Sequence, residues 1–276
     1  MNQRATPRMA MIWFLAIVWV LIAGTPFVFM MMTGFKAQFE LLTNPVWALP
    51  QQPTFENFLT VVSGKFFIFL FNSVLVVAVS VMLIVIISAM ASYVFARIRF
   101  RFSNVLFALI VAGLVIPIHV TLIPVYLLTI SIGLYDQIWA LVGPYVAFNI
   151  PISIFILTEF MRQIPGELED AARIDGCGPM RVFFQIFLPL SRPGLAAIAI
   201  FSAVALWNEF VFAFVLTSST NNRTLPLAIW EYQGEYSANI PLIMSVLTLS
   251  ALPLIVAYLF GQEGFVKGMM AGALKG

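Results

Sequence analysis

The side chains that ordinarily carry chemistry are scarce in this sequence. Cys177 is its one cysteine and His119 its one histidine. A single thiol excludes an internal disulfide framework and a Cys-based metal site. A lone imidazole gives no His-rich metal site or Ser-His-Asp triad. No G-x-x-x-x-G-K-[ST] phosphate loop is present, because Gly64-Lys65 lacks the upstream glycine. The chain therefore offers no catalytic residue, no metal ligand set and no nucleotide site of its own.

What remains is recognition by carboxylates, and two places stand out. Glu209 lies inside an apolar run beside Trp207 and Asn208. An ionisable group there costs about 2.5–3.5 kcal/mol on membrane-insertion scales, so it should face protein or water. Asn208 and Glu209 either line a solute pathway or make a structural hydrogen bond between helices. His119, just after Pro117, divides the same way between a pathway and a packed side chain.

The second place is Ile164 to Gly176, which carries Glu167, Glu169, Asp170, Arg173 and Asp175. Pro165 suits the first turn of a helix, the acids favour its positive end, and Gly176 suits a left-handed stop. At 100° per residue Leu168, Ala171, Ala172 and Asp175 share one side, and Glu169, Asp170 and Arg173 the other. Two alanines admit a close neighbour, and exposed apolar residues beside them call for a partner. A second helix is expected from Pro179, ending before Pro189. The segment is either a docking surface or an interfacial helix pair lying on the membrane.

The elements that hold these residues are membrane elements. Of 276 residues 62% are hydrophobic and 9% charged, against about 25% charged in soluble domains. A net charge of +2 gives no footprint for nucleic acid. Six runs reach the roughly 20 residues a spanning helix needs: 10–32, 67–96, 104–126, 138–160, 193–216 and 238–262. The fold class is thus all-α, a polytopic membrane protein of about six transmembrane helices. The first run follows Arg4 and Arg8 and is longer than the apolar core of a cleaved signal. It is read as a retained helix, the alternative being cleavage near Ala23 and Gly24. Pro117, Pro124, Pro144, Pro151, Pro241 and Pro253 fall in or beside spans, as packing kinks or as parts of a pathway.

Basic residues fix the expected orientation. With the N-terminus inside, the inner segments hold Arg4, Arg8, Arg97, Arg99, Arg101, Arg162, Arg173, Arg181, Arg192, Lys267 and Lys275, and the outer loops hold Lys36, Lys65 and Arg223. Eleven against three puts both termini in the cytoplasm. The organisation expected is a cytoplasmic N-terminus at 1–9, a six-helix domain at 10–262 with a cytoplasmic loop at 161–192, and a cytoplasmic tail at 263–276. The tail repeats glycine every four residues at Gly264, Gly268, Gly272 and Gly276.

Asp170-Ala171-Ala172-x-x-x-Gly176, followed by Ile186-x-Leu188-Pro189, resembles the EAA signature of ABC importer permeases, with Asp where Glu is usual. The longer string from Ile164-Pro165 through Pro193-Gly194 resembles the carbohydrate-uptake branch. It is similar to the smaller permease subunit of maltose-type transporters. Trp207-Asn208-Glu209-Phe210, Arg223-Thr224-Leu225-Pro226 and the tail from Val266 to Gly276 extend the likeness over most of the chain after residue 60.

The resemblance implies a type I ABC importer permease fold in a prokaryotic inner membrane. It also implies a helix at 164–176 that docks on a cytoplasmic ATPase, with Glu167, Asp170, Ala171, Ala172 and Gly176 as docking residues. The shorter side chain of Asp170 bears on any contact that needs a glutamate's reach. The partners implied are a second permease subunit, two ATPase subunits holding ATP and Mg, an extracytoplasmic solute-binding protein, membrane lipid and a sugar substrate, with no nucleic acid. The tail would touch the ATPase dimer. Loops 33–66 and 217–237 would receive the binding protein. The rival readings are an ABC permease for glycerol phosphate or an amino acid, an ion-coupled secondary transporter, and a non-transporting scaffold. Intramembrane acids are nearly absent and no inverted repeat is apparent, which disfavours the secondary transporter.

Overall fold

Runs of Leu, Ile, Val, Phe and Met leave a backbone in lipid one simple way to satisfy its polar groups, the helix. The computed structural model describes residues 7–233 and 238–273, and these are almost all helix and turn, with one bridge between Gln233 and Ala238. In chain order, α1 (Pro7–Gly34), α2 (Glu40–Thr43) and α3 (Glu56–Ser63) precede α4 (Phe66–Arg97), α5 (Ser103–Ala112), α6 (Leu122–Ser131) and α7 (Val142–Arg162). The short α8 (Glu167–Ile174) leads into α9 (Pro179–Val182), a π-helical stretch Phe183–Phe187 and α10 (Leu188–Leu190). Then come α11 (Arg192–Trp207), α12 (Val211–Leu216) and α13 (Ile240–Ala273).

Four segments are long and apolar enough to cross a membrane: Met11–Gly34, Phe66–Arg97, Ile138–Arg162 and Ile240–Leu259. Two more are bent pairs, Ser103–Val115 with Ile118–Ser131 at 91° and Pro179–Leu190 with Arg192–Trp207 at 71°. Six spans result if each pair counts as one. The expected third span, 104–126, is therefore not one straight helix. Proline disfavours a helical residue before it, and Ile116 is extended at φ −72°, ψ 114°. The other five prolines in or beside the spans leave their helices unbroken. Pro144 and Pro241 lie in first turns of α7 and α13, Pro124 in that of α6, and α7 and α13 continue through Pro151 and Pro253.

The expected fifth span, 193–216, is α11 and α12 separated at Asn208–Phe210. The helix expected to end before Pro189 runs to Leu190, the π turn before it widening the backbone ahead of a ring that lacks an N–H. At the ends, α1 already includes residues 7–9, and α13 continues through 263–273. Arg4, Lys275 and Gly276 lie outside the described residues, as do 234–237 of the outer loop.

The chain divides into two compact units, Met1–Phe67 with Ala228–Pro253, and Ile68–Leu227 with Leu254–Gly276. In the first, Gly34 sits where a Cβ would lie 2.8 Å from Phe58 and 2.9 Å from Ser245. Asn57 Nδ2 donates to the carbonyls of Gly34 and Lys36, 2.8 Å each, and Lys36 Nζ, fully buried, donates to Val46 O at 2.9 Å.

The second unit has two apolar cores. One gathers Val76, Ile84, Leu141, Tyr145, Leu206 and Phe212. The other gathers Tyr93, Leu157, Met161, Ala172, Phe187 and Ile198. Small hydroxyl residues with no exposed surface, Ser80, Ser88 and Ser92 on α4, Thr158 on α7 and Ser202 on α11, let helices approach closely. Gly194 does the same, its Cβ position lying 2.9 Å from Phe160.

Candidate functional site

The α8 helix ends as its sequence requires. Cys177 N donates to Ala172 O at 2.9 Å and Gly176 N to Arg173 O at 3.0 Å, with Gly176 at φ +79°. These are the paired bonds of a Schellman stop, and only glycine takes that φ without cost. At the other end the amides of Glu169 and Asp170 reach Gly166 O at 2.9 and 3.0 Å.

Burial cuts α8 along a different line from the one expected. Ala172 and Glu169 turn inward, 7% and 8% exposed, and Ala172 joins the core with Tyr93, Val182 and Phe183. Glu169 accepts an ion-pair hydrogen bond from Arg173 at 2.7 Å. Glu167, Asp170, Ala171 and Gly176 are exposed, together with Leu168 and Ile174, the last at 86%. Ala172 thus packs inward, away from the exposed face of α8. Charge pattern alone cannot show that Glu169 is sequestered, because that depends on the core residues packed against α8.

The inner face of this segment is tied to the spanning helices. Arg97 at the end of α4 donates to Met161 O at 2.7 Å and to Ile164 O, and its guanidinium lies 4.6 Å over the Phe187 ring. Tyr93 Oη donates to Pro179 O at 3.1 Å. Its ring is 5.2 Å from those of both Phe183 and Phe187. In the sequence Arg97 is the residue that directly follows the second apolar run, and that position is the local signal for its role. The arrangement offers a firmly seated helix whose outer face presents Ile174 among acids.

The pathway candidates are dispersed. Glu209 accepts hydrogen bonds from Tyr145 Oη at 2.8 Å, Phe212 N at 2.8 Å and Ala213 N at 3.2 Å. It caps α12 and links it to α7, which is the structural alternative. Asn208 is exposed and donates to Val204 O at 2.8 Å. His119 is exposed in the Ile118–Thr121 turn at the bend of the third segment. Among the described residues no hydrogen bond joins His119 to Asn208 or Glu209.

One clasp escaped the sequence altogether. Asp136, at φ 58°, accepts from Ser218 N at 2.8 Å, Ser219 N at 2.7 Å and Ser219 Oγ, while Asn222 Nδ2 donates to its carbonyl. Burial pushes its carboxyl up, but the bonds from Ser219, Ser218 and Asn222 outweigh this and hold it below the ordinary value.

Residues 84–271 match the family described as binding-protein-dependent transport system inner membrane component. A putative ABC transporter permease protein of Caldicellulosiruptor sp. is 59% identical over 259 residues, 94% of either chain. A sulfoquinovosyl glycerol transport system permease protein of Agrobacterium fabrum is 33% identical, covering 91% of this chain and 88% of that one. A crystal structure of a bacterial ABC transporter involved in import of the acidic polysaccharide alginate contains a chain with the same fold. It aligns at TM-score 0.73 and 21% identity, over 95% of this chain and 98% of that one.

Proposed function

The chain belongs to the family of binding-protein-dependent transport system inner membrane components, and we propose that it is one permease subunit of an ATP-driven importer for a sugar or oligosaccharide. A permease of this family supplies a membrane path and performs no bond-breaking chemistry. The solute class rests on relatives named for sugar derivatives and oligosaccharides.

In this reading the outer face of α8, with Glu167, Asp170, Ala171 and Gly176 joined by Leu168 and Ile174, seats in a groove of a cytoplasmic ATPase. Two ATPase subunits, a second permease and an extracytoplasmic binding protein complete the importer. Both termini are cytoplasmic, and loops 33–66 and 217–237 meet the binding protein. Closure of the ATPases on ATP pulls α8, and the carbonyl bonds of Arg97 and the ring stack on Phe187 pass that motion to α4 and α7. Rigid-body switching of this kind needs a stiff contact between motor and membrane helices.

The observation that carries the docking role is Ile174. A β-branched apolar side chain 86% exposed on an eight-residue helix, with its opposite face packed, is expensive unless a partner covers it. Covering an isoleucine is worth about 2 kcal/mol, roughly thirty-fold in affinity. Ile174→Glu should therefore reduce co-purification of the ATPase by at least tenfold and abolish solute-stimulated ATP hydrolysis, while membrane insertion persists. Asp170→Arg should act in the same direction. Wild-type transport by Ile174→Glu would sink the docking role.

A further inference from the structure

Where α4 gives way to α5 the chain reads Arg97-Ile98-Arg99-Phe100-Arg101-Phe102, cation and apolar residue in strict alternation. A cavity of about 480 Å³ opens there, with Arg97, Arg99, Arg101 and Arg162 among its walls and Ser103 and Asn104 as neutral donors. Its one carboxylate, Glu169, is buried and already paired to Arg173 at 2.7 Å.

Two of the four arginines are occupied. Arg97 is spent on the carbonyls of Met161 and Ile164, and Arg162 pairs with Glu159 at 2.6 Å. Arg99 and Arg101 are exposed, and among the described residues no carboxylate lies within ion-pair distance of either. Arg101 lies 5.5 Å over the Phe102 ring, which fixes its stem beside an apolar surface. The walls thus carry an uncompensated positive charge in a concave site, and the ligand they fit is an anion.

The neighbours say which kind. Ile98, Phe100 and Phe102 are 40%, 37% and 57% exposed, and α5, which starts at the cavity, buries no residue. Val105, Leu106 and Leu109 continue the same uncovered apolar surface. Because α5 opens the third spanning segment, these side chains meet lipid, and a lipid headgroup reaches the adjoining arginines from that same surface. A soluble anion or an acidic protein loop would engage the arginines alone. A phospholipid has a phosphodiester for the arginines and acyl chains for the rest, and basic pockets between the ends of spanning helices suit such headgroups. We infer that the Arg99–Arg101 cavity binds the headgroup of an anionic phospholipid, holding it beside the α4 end that anchors α8. This needs only that the chain spans a bilayer, and no transported solute enters it, so a wrong solute assignment would leave it standing.

The test uses the importer complex purified through a tag on this chain, delipidated, then titrated with phosphatidylglycerol or phosphatidylcholine and read by native mass spectrometry. The wild type should retain phosphatidylglycerol at least fivefold better than phosphatidylcholine. R99Q/R101Q should bring that ratio close to one, R99Q and R101Q singly should lower it in part, and R99K/R101K should restore most of it. The single variants serve if the double one fails to assemble. Three results would overturn the inference. They are equal retention of both lipids by the wild type, a ratio unchanged in every glutamine variant, or displacement of the lipid by inorganic phosphate. A preference that emerges only after the ATPase subunits are stripped away would also overturn it, by making the cavity part of a protein contact.

Discussion

At Glu209 one carboxylate accepts three hydrogen bonds, from Tyr145 Oη, Phe212 N and Ala213 N. Two of these satisfy orphan amides at the start of α12, and the third joins α12 to α7. A group so engaged has little left for a solute, and Asn208 beside it, exposed and donating to Val204 O of the preceding helix, is the freer of the two. Tyr145 is 2% exposed, and its hydroxyl loses its partner if the carboxylate goes, so removing the hydroxyl itself is the cleaner test. Tyr145→Phe deletes one bond to a charged acceptor, about 1.5–3 kcal/mol. The expected result is a lower thermal unfolding midpoint in detergent with unchanged apparent solute affinity in transport. A large rise in KM at an unchanged midpoint would restore Glu209 to the pathway.

Among elements, α8 was the most legible. Its acids and its Gly176 exit are local signals that appear where local physics requires them, while Pro165, expected in the first turn, lies just before the N-cap Gly166. Its facing was less legible, because which side of a short helix is buried depends on Tyr93, Val182 and Phe183 arriving from elsewhere. The same limit explains the spans. Hydropathy located the third and fifth segments, but it does not register a 91° bend at Ile116-Pro117 or a cap by Glu209 that starts α12. The Arg97 clasp and the Asp136 clasp join residues over 60 positions apart, beyond any local pattern. For α8 the end signal can be tested directly. A Cβ at Gly176 meets nothing within 4 Å, so Gly176→Ala adds only the left-handed backbone penalty, about 1–2 kcal/mol. The expected outcome is faster hydrogen exchange confined to 167–177 and weaker coupling of ATP hydrolysis to transport, with Gly176→Asn intermediate. Uniformly faster exchange along α4 and α7 would show instead that α8 is not an independently terminated unit.

At the scale of the whole molecule, exposure carries the opposite meaning from that in a soluble protein. Trp13, Trp19 and Ile22 on α1 are 65%, 71% and 63% exposed, and no residue from 11 to 32 is buried. In a bilayer such a surface costs nothing, and it is also the surface a second permease would use. What no contact within the chain decides is which way the bundle faces. That rests on eleven arginines and lysines against three, a bias that acts during insertion rather than in the folded state. The docking proposal stands or falls with it, since α8 must meet ATP on the cytoplasmic side. With Cys177 as the one native thiol, a Cys177→Ser background makes the test clean. Lys65→Cys and Asn104→Cys both place an exposed thiol, the first just before α4 and the second in the first turn of α5, at ends assigned to opposite sides. A membrane-impermeant maleimide should label Lys65→Cys in intact cells and Asn104→Cys only after permeabilisation. The reverse pattern would put α8 outside, away from any ATPase, and the charge bias would then have misled the topology. Labelling of both in intact cells would mean that Phe66–Arg97, the one segment between them, does not cross.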